Sequence, residues 1–331
     1  MKKISQILFV VMLIVPFAGC VQSDDNLLKN RAGFGMAVQA DPVYWANELQ
    51  ADWYIDWKTT PRHADQFPEY WQTIRLSADS YTPAKSDLKK LVRRYRGNTW
   101  IIGNEPDNPW QDNIPAEGYA VYYHELYHLI KSIDPSAKIA IGAITQPTPL
   151  RLAYLEEVLN TYQEMYHTTL PVDWWTIHAY ILREENDSWG AGIPAGMDNS
   201  LATLYDIQDH NNIQIFISQI ETFRKWMVQN GYRNKPLAIT EFGILFPATL
   251  GFTPDLVSKY LDETFTYLYD ASNPETGYEA DDNHLVQRWA WFSLNDPEFM
   301  VADLANLQMT QLTPLGVAFR ETVLRYKEKV Q

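Results

Sequence analysis

Beyond residue 30 the chain alternates between short apolar runs and longer stretches in which apolar positions recur at helical spacing. The apolar runs at 33–38, 52–57, 71–77, 99–104, 138–144, 173–180, 235–241 and 287–293 read as strands, eight in number. The stretches between them carry helix punctuation. Ser86 is a candidate cap for the helix holding LKKLVRRYR, and Gly97 stands just past its end. Pro115 opens a second helix with an apolar stripe of Tyr122, Leu126, Leu129, Ile130 and Ile133, and Asp134-Pro135 closes it. A third covers 214–229, with Gly231 after it. Strands separated mostly by helices imply βα units and a parallel sheet, and eight of them predict a (β/α)8 barrel, the TIM barrel of the α/β class. An open doubly wound sheet is the rival, but no glycine-rich phosphate loop opens an early helix. Residues 181–200, ILREENDSWGAGIPAGMDNS, form a long glycine-containing loop after the sixth strand, the kind that serves as a lid or binding loop. Neither an internal repeat nor a linker divides the chain, so residues 31–331 are expected to form one domain.

Composition narrows the partners. A chain of 331 residues, 46% hydrophobic, has ample material for one large core. Its formal net charge is −14 and no basic stretch is interleaved with aromatics, which argues against a nucleic-acid partner. Aromatic residues make up 14%, enough to leave some for a ligand site once a core is filled. The N-terminus reads as a targeting segment. Lys2 and Lys3 precede an apolar stretch at 7–15 that is short for a membrane span, and small residues follow, so residues 1–19 are expected to be a secretory signal. Phe-Ala-Gly-Cys resembles the lipobox of bacterial lipoproteins. That resemblance implies lipidation of Cys20, a polar tether over 20–30, and an extracytoplasmic protein held at the membrane by lipid only. Cys20 is the single cysteine, so no intrachain disulfide can form.

In such a barrel the chemistry gathers at the C-terminal ends of the strands. The fourth predicted strand runs out in IIGNEPDNPW, ending on Asn104 and Glu105 before Pro106. The sixth, WWTIHAY, ends with His178 and Tyr180, two apart and therefore on one face. The seventh, PLAITEFG, ends on Glu241, and the eighth, RWAWFSLND, carries Trp289 and Trp291. Each has a plainer reading alone: either glutamate as a turn cap, His178 as a satisfied core histidine, Trp289 as barrel packing. Two glutamates at the ends of strands four and seven, which face each other across a barrel mouth, favour chemistry. One motif competes. Residues 124–128, HELYH, match the H-E-x-x-H zinc signature letter for letter. Yet His124 and His128 each lie two residues from the stripe at Tyr122 and Leu126, about 200° round a helix, so both are expected to face solvent. No third ligand follows at a familiar spacing, and neither a metal nor an organic cofactor is expected.

Taken in order, Asn104-Glu105-Pro106, His178-Ala179-Tyr180, Thr240-Glu241-Phe242-Gly243 and Trp291 resemble the retaining (β/α)8 glycoside hydrolases of clan A, the 4/7 superfamily. The resemblance runs over roughly residues 33–325, and LTPLGVAFR at 312–320 is similar to the start of the last helix in several such families. It implies Glu105 as acid/base, Glu241 as nucleophile, and a sugar subsite lined by His178, Tyr180 and Trp291. The Asn-Glu-Pro-Asp run is similar to some endo-β-1,3-glucanases and WFSLND to some β-xylosidase-like enzymes, so an oligo- or polysaccharide partner is implied without naming its sugar.

The chemistry asks for the same arrangement. Retaining hydrolysis needs two carboxyls about 5–5.5 Å apart, one protonated and one ionised. Glu105 against an apolar wall is the expected acid, and Glu241 is expected to be held ionised by donors such as Tyr180 and an arginine, for which Arg75 in TIRLS is a candidate. Arg75 also fits a structural ion pair. Asn104 suits a hydrogen bond to the sugar 2-hydroxyl, and Trp291 suits the subsite floor. Trp53, Asp56 and Trp57 could build an outer subsite, with core packing the alternative for the two tryptophans. Two other readings remain. A carbohydrate-binding lipoprotein without turnover would bind glycan and release no product, and a metalloprotease would depend on His124 and Glu125.

Overall fold

The computed structural model describes residues 31–63 and 67–330. The signal segment 1–19, Cys20 and the tether lie outside them. Among the described residues nine strands form one sheet, β1 (Ala32–Gly35), β2 (Trp53–Ile55), β3 (Glu69–Ser77), β4 (Ser80–Thr82), β5 (Thr99–Ile102), β6 (Lys138–Ile141), β7 (Trp175–His178), β8 (Leu237–Phe242) and β9 (Arg288–Trp291). Strand β4 only makes a hairpin on the end of β3, with Arg75 opposite Thr82. The other strands pair in parallel in the order β6-β5-β3-β2-β1-β9-β8-β7. Isolated parallel bridges, Ala140 to Trp174 and Ile144 to Ile177, join the two ends of that order, so the sheet closes on itself. Each predicted strand overlaps one barrel strand; β1, β3 and β8 run one or two residues past the predicted bounds, and the other five are shorter than predicted. β4 was not foreseen, because SYT between turn residues has no alternating core face.

Seven α-helices surround the sheet among the described residues, α1 (Pro42–Leu49), α2 (Lys85–Arg94), α3 (Ala116–Ile133), α4 (Pro149–Tyr166), α5 (Ile213–Gln229), α6 (Pro254–Asp270) and α7 (Pro314–Val330). Among the described residues no helix stands between β2 and β3. Two helix details differ from expectation. The first turn of α2 starts at Lys85 after Ala84, with no side-chain cap, so Ser86 lies inside it. Helix α3 buries Tyr119, Tyr123, Leu126 and Ile130, whereas Tyr122 stays half-buried against Tyr81. The contact face is therefore turned by one residue from the stripe read in sequence. No described helix is long and apolar enough to cross a membrane.

The core has two layers. Inside the barrel Trp53, Ile55, Trp71, Ile101, Ala140, Trp174, Ala238 and Ala290 pack together. Large residues are accommodated by small ones opposite. A Cβ on Gly33 would sit 2.5 Å from the Trp53 indole, so β1 needs glycine there. At the floor, Arg288 pairs with Glu69 at 2.7 Å and lies over Trp71 and Trp174, which pays its desolvation with an ion pair and two ring faces. The second layer, between strands and helices, takes the alternate residues, among them Phe34, Tyr54, Trp100, Trp175, Trp289 and Trp291. This inward-outward alternation decides which strand-end residues reach the mouth.

Candidate active site

The end of β5 turns abruptly into the mouth. Gly103 has φ 90°, a left-handed conformation. Glu105 follows at φ 45°, which costs a non-glycine residue on the order of 1–3 kcal/mol and needs fixing by its neighbours. Those neighbours are present. The Glu105 backbone N–H donates to Ala143 O beyond β6 at 3.0 Å, and Asp112 Oδ2 accepts from both Asn104 N and Leu76 N at 2.7 and 3.0 Å. The side chain is then held on both oxygens. Asn108 Nδ2 donates to Glu105 Oε2 at 2.6 Å, and His178 Nδ1 lies 2.7 Å from Oε1. Asn108 cannot flip, since its Oδ1 accepts from Trp110 N at 3.0 Å.

Glu241, within β8, faces it. Trp57 Nε1 donates to its Oε1 at 2.5 Å and the Tyr180 hydroxyl to its Oε2 at 3.2 Å. His178, buried at the end of β7, stands between the two carboxylates. Its Nε2 is 3.2 Å from Glu241 Oε1, a contact off hydrogen-bond alignment and so weaker than the Nδ1 bond to Glu105. One oxygen of each glutamate and a His178 nitrogen all lie within 4.8 Å of one another. Burial raises the Glu241 carboxyl to about 7; His178 and the Trp57 and Tyr180 donors pull it down, and Glu105 pushes it up. Burial also depresses His178, but Glu241, Glu105 and Asp107 outweigh it and raise its pKa. A proton is therefore held tightly in the cluster near neutral pH. The three side chains could offer a cation one ligand atom each, but both imidazole nitrogens already face a carboxylate, and a cation would have to displace one of them.

Behind the glutamates lies a buried ion network that the sequence reading missed. Arg151, in the first turn of α4, pairs with Asp107 of the Asn-Glu-Pro-Asp turn and with Glu184 of the 181–200 loop, all fully buried. It also donates to Ala191 O and Gly192 O at 2.9 and 3.0 Å. Glu184 accepts in addition from Thr148, Gln146 and Thr203 N. His210 links the next pair of loops by contacting Ile181 O and accepting from Leu245 N, both at 2.9 Å, and burial holds its pKa down to about 4, which keeps it neutral. The 181–200 loop is thus pinned at its middle. It contributes Trp189, half-buried, to an apolar cluster with Tyr180, Leu182, Phe246 and Phe292.

Glu105, Glu241, His178, Tyr180 and Trp57 meet as one site, and Asn104 is buried at its edge. Two candidates do not reach it. Trp291 is fully buried on the helix side, its Nε1 donating to Ala302 O at 2.9 Å and its ring against Phe242. In β9 the even residues, Arg288 and Ala290, face the barrel interior, so Trp291 shares the outer layer with Trp289. Phe292, half-buried beside Trp57 at 5.6 Å between ring centroids, takes the mouth position instead. Arg75 bonds Asp112 at 2.6 Å and Gln111 at 3.0 Å and does not approach Glu241. Trp53 fills the barrel interior, and Asp56 is taken up by Tyr70 and Arg62. Trp57 exceeds its expected part, since a residue at φ 56° turns the indole inward onto Glu241. The signal for Arg151 was legible, a lone arginine in the apolar run PLRLAYL. Asn108 carried none beyond its place three residues after Glu105.

The architecture and the paired glutamates define a (β/α)8 barrel with a two-carboxylate mouth, and known proteins of that architecture resemble it. No family model matches the sequence. A GH128 (subgroup II) endo-β-1,3-glucanase from Sorangium cellulosum superposes with a TM-score of 0.61 at 16% identity, over 88% of this chain and 98% of that one. A GH128 (subgroup III) curdlan-specific exo-β-1,3-glucanase from Blastomyces gilchristii, in complex with glucose, gives 0.58 at 16% identity over 88% and 97%. In sequence, the intracellular exo-α-(1→5)-L-arabinofuranosidase 1 of Bacillus subtilis (strain 168) is 28% identical over 120 residues, 36% of this chain. The chain spans only 21% of the length of that relative. These likenesses bear out the barrel fold that the sequence predicted.

Proposed function

We propose that this protein is a retaining glycoside hydrolase acting on a β-linked glycan, with β-1,3-glucans the first substrate class to try. The observation that carries this reading is the approach of Glu105 and Glu241, one oxygen of each lying within 4.8 Å of the other. That gap is close to the roughly 5–5.5 Å of retaining enzymes and short of the roughly 6.5–9.5 Å that an inverting enzyme leaves for water. In its ionised form Glu241, oriented by Trp57 and Tyr180, attacks the anomeric carbon to form a covalent glycosyl-enzyme. Burial raises its carboxyl to about 7, against the sequence expectation of a glutamate held ionised, so this form grows as pH rises through neutrality. Glu105 gives its proton to the leaving oxygen, and then as a base draws a proton from the water that releases the sugar. The His178 Nδ1 to Glu105 Oε1 contact lets one shared proton sit on Glu105 while Nε2–H stays toward Glu241, which is the state the first step requires. The choice of β-1,3-glucan follows the two GH128 likenesses, one endo-acting and one exo-acting. The lipobox-like Phe-Ala-Gly-Cys supports an enzyme displayed outside the cytoplasmic membrane on a lipid at Cys20.

The test is a pair of variants, Glu105→Ala and Glu241→Ala, assayed on laminarin and on an activated aryl β-glucoside with added azide. Both should lose nearly all hydrolysis of laminarin. Azide should yield the β-glycosyl azide from the first and the α-anomer from the second. Activity surviving both changes would sink the assignment. Tight laminarin binding without product from the unaltered protein would instead identify a binding lipoprotein.

A further inference from the structure

The zinc-like motif HELYH is not absorbed by the barrel mouth, and while His128 is exposed as the helical wheel placed it, His124 is not. His124 is half-buried between α3 and α4, not turned to solvent. Its ring stacks flat on Tyr166 of α4, with centroids 3.5 Å apart and planes 4° from parallel. Its Nδ1 is 2.9 Å from the Tyr162 hydroxyl. His128, one turn on, is exposed, and the two imidazole centroids are 4.4 Å apart. The expectation failed because α3 is rolled so that Tyr123 is its buried centre, which brings position 124 against the neighbouring helix.

We infer that His124 and His128 form a binding site for a divalent transition metal such as Ni²⁺, Cu²⁺ or Zn²⁺ on the α3–α4 face, separate from the barrel mouth. Residues four apart on a helix project side by side, and two imidazoles there can share one ion. With Zn–N bonds of about 2.0–2.1 Å, two such nitrogens lie roughly 3.3 Å apart, a spacing reachable from rings whose centres are this close. The environment of His124 suits a ligand. Tyr162 takes up Nδ1, which leaves Nε2 for the metal, and the Tyr166 stack fixes the plane of the ring. Imidazole pairs suit these ions better than Mg²⁺ or Ca²⁺, which take oxygen ligands.

The same geometry separates this site from a zinc protease. Glu125, the residue that would act as base, points to the α2 side, where it bonds Lys85 at 2.7 Å and Tyr81 at 3.3 Å. No third His, Cys, Asp or Glu joins the pair into a metal-binding cluster among the described residues. Only two positions of the ion would be filled by protein, leaving the rest open to water or an incoming group.

Isothermal titration of the full, tag-free protein with Ni²⁺ tests this. The result expected is one equivalent bound, weakened at least about tenfold in His128→Gln, an exposed position whose change leaves the fold and any hydrolysis intact. Tyr162→Phe should weaken binding less, by loosening His124, and Glu105→Gln with Glu241→Gln should leave it unchanged. Bound Ni²⁺ should raise the unfolding temperature of the unaltered protein but not of His128→Gln. Absence of binding overturns the site, as does equal binding by His128→Gln, or binding lost only when the mouth glutamates are replaced.

Discussion

Glu241 and Trp57 make the most direct link between one side chain and the chemistry. The indole N–H donates to the glutamate at 2.5 Å and favours its ionised form. A hydrogen bond to a charged group contributes about 1.5–3 kcal/mol, so Trp57→Phe should lower kcat/KM by roughly 10–100-fold. The same change should raise the Glu241 pKa, moving the acidic limb of the pH–rate profile upward, and a profile left in place would argue against that role. Stability follows with a definite sign. Glu241 is raised from about 4.5 to about 7 in the folded protein, so the native state holds a proton that the unfolded chain has released. Stability is therefore lost as pH climbs from near the unfolded value through about 7. The raised His178 acts in the same direction, its contribution present at low pH and lost as pH rises. Glu241→Gln should be more stable than the parent at pH 8, by up to about 3 kcal/mol, and no more stable at pH 4, as urea melts would show.

Among the elements, the start of α4 matters most to the site. Arg151 joins the Asn-Glu-Pro-Asp turn to the 181–200 loop through Asp107 and Glu184, with nothing exposed. Removing one member of a buried ion group leaves its partners uncompensated, so Arg151→Met should destabilise the fold by about 3–5 kcal/mol. Urea unfolding would measure the loss, and a change under about 1 kcal/mol would mean the network is already hydrated. Elements were legible where one face is apolar over a whole period, as in the eight barrel strands and the body of α3. They were less legible where neighbours decide. The roll of α3 depends on α4, the inward turn of Trp57 on one backbone angle, and the outward fate of Trp291 on which parity of β9 faces the barrel. Glu105, Glu241, His178 and Tyr180 could be found because strand order and side-chain parity place them. Asn108 acts through a tertiary contact that no local pattern encodes, and Arg151, though marked by its place in an apolar run, finds its partners Asp107 and Glu184 only in the folded chain.

For the molecule as a whole, a net charge of −14 shapes what can approach the mouth. A neutral glucan feels little of that field, so kcat/KM on laminarin should change less than about twofold between 0.05 and 0.5 M NaCl. A polyuronate should be disfavoured at low salt and recover as salt rises, and steep salt dependence on laminarin would contradict a neutral substrate. The closure of the barrel has a further consequence. Strands β6 and β7 meet only through isolated bridges, and the chain crosses that seam between α4 and β7. Glu105 belongs to the segment before the seam, and His178 and Glu241 to the segment after it. Two polypeptides divided there would each carry half of the proposed catalytic pair, and neither could act alone. Mixing them would make turnover itself the signal of reassembly, so the weakest joint of the barrel doubles as a natural place to build a split enzyme.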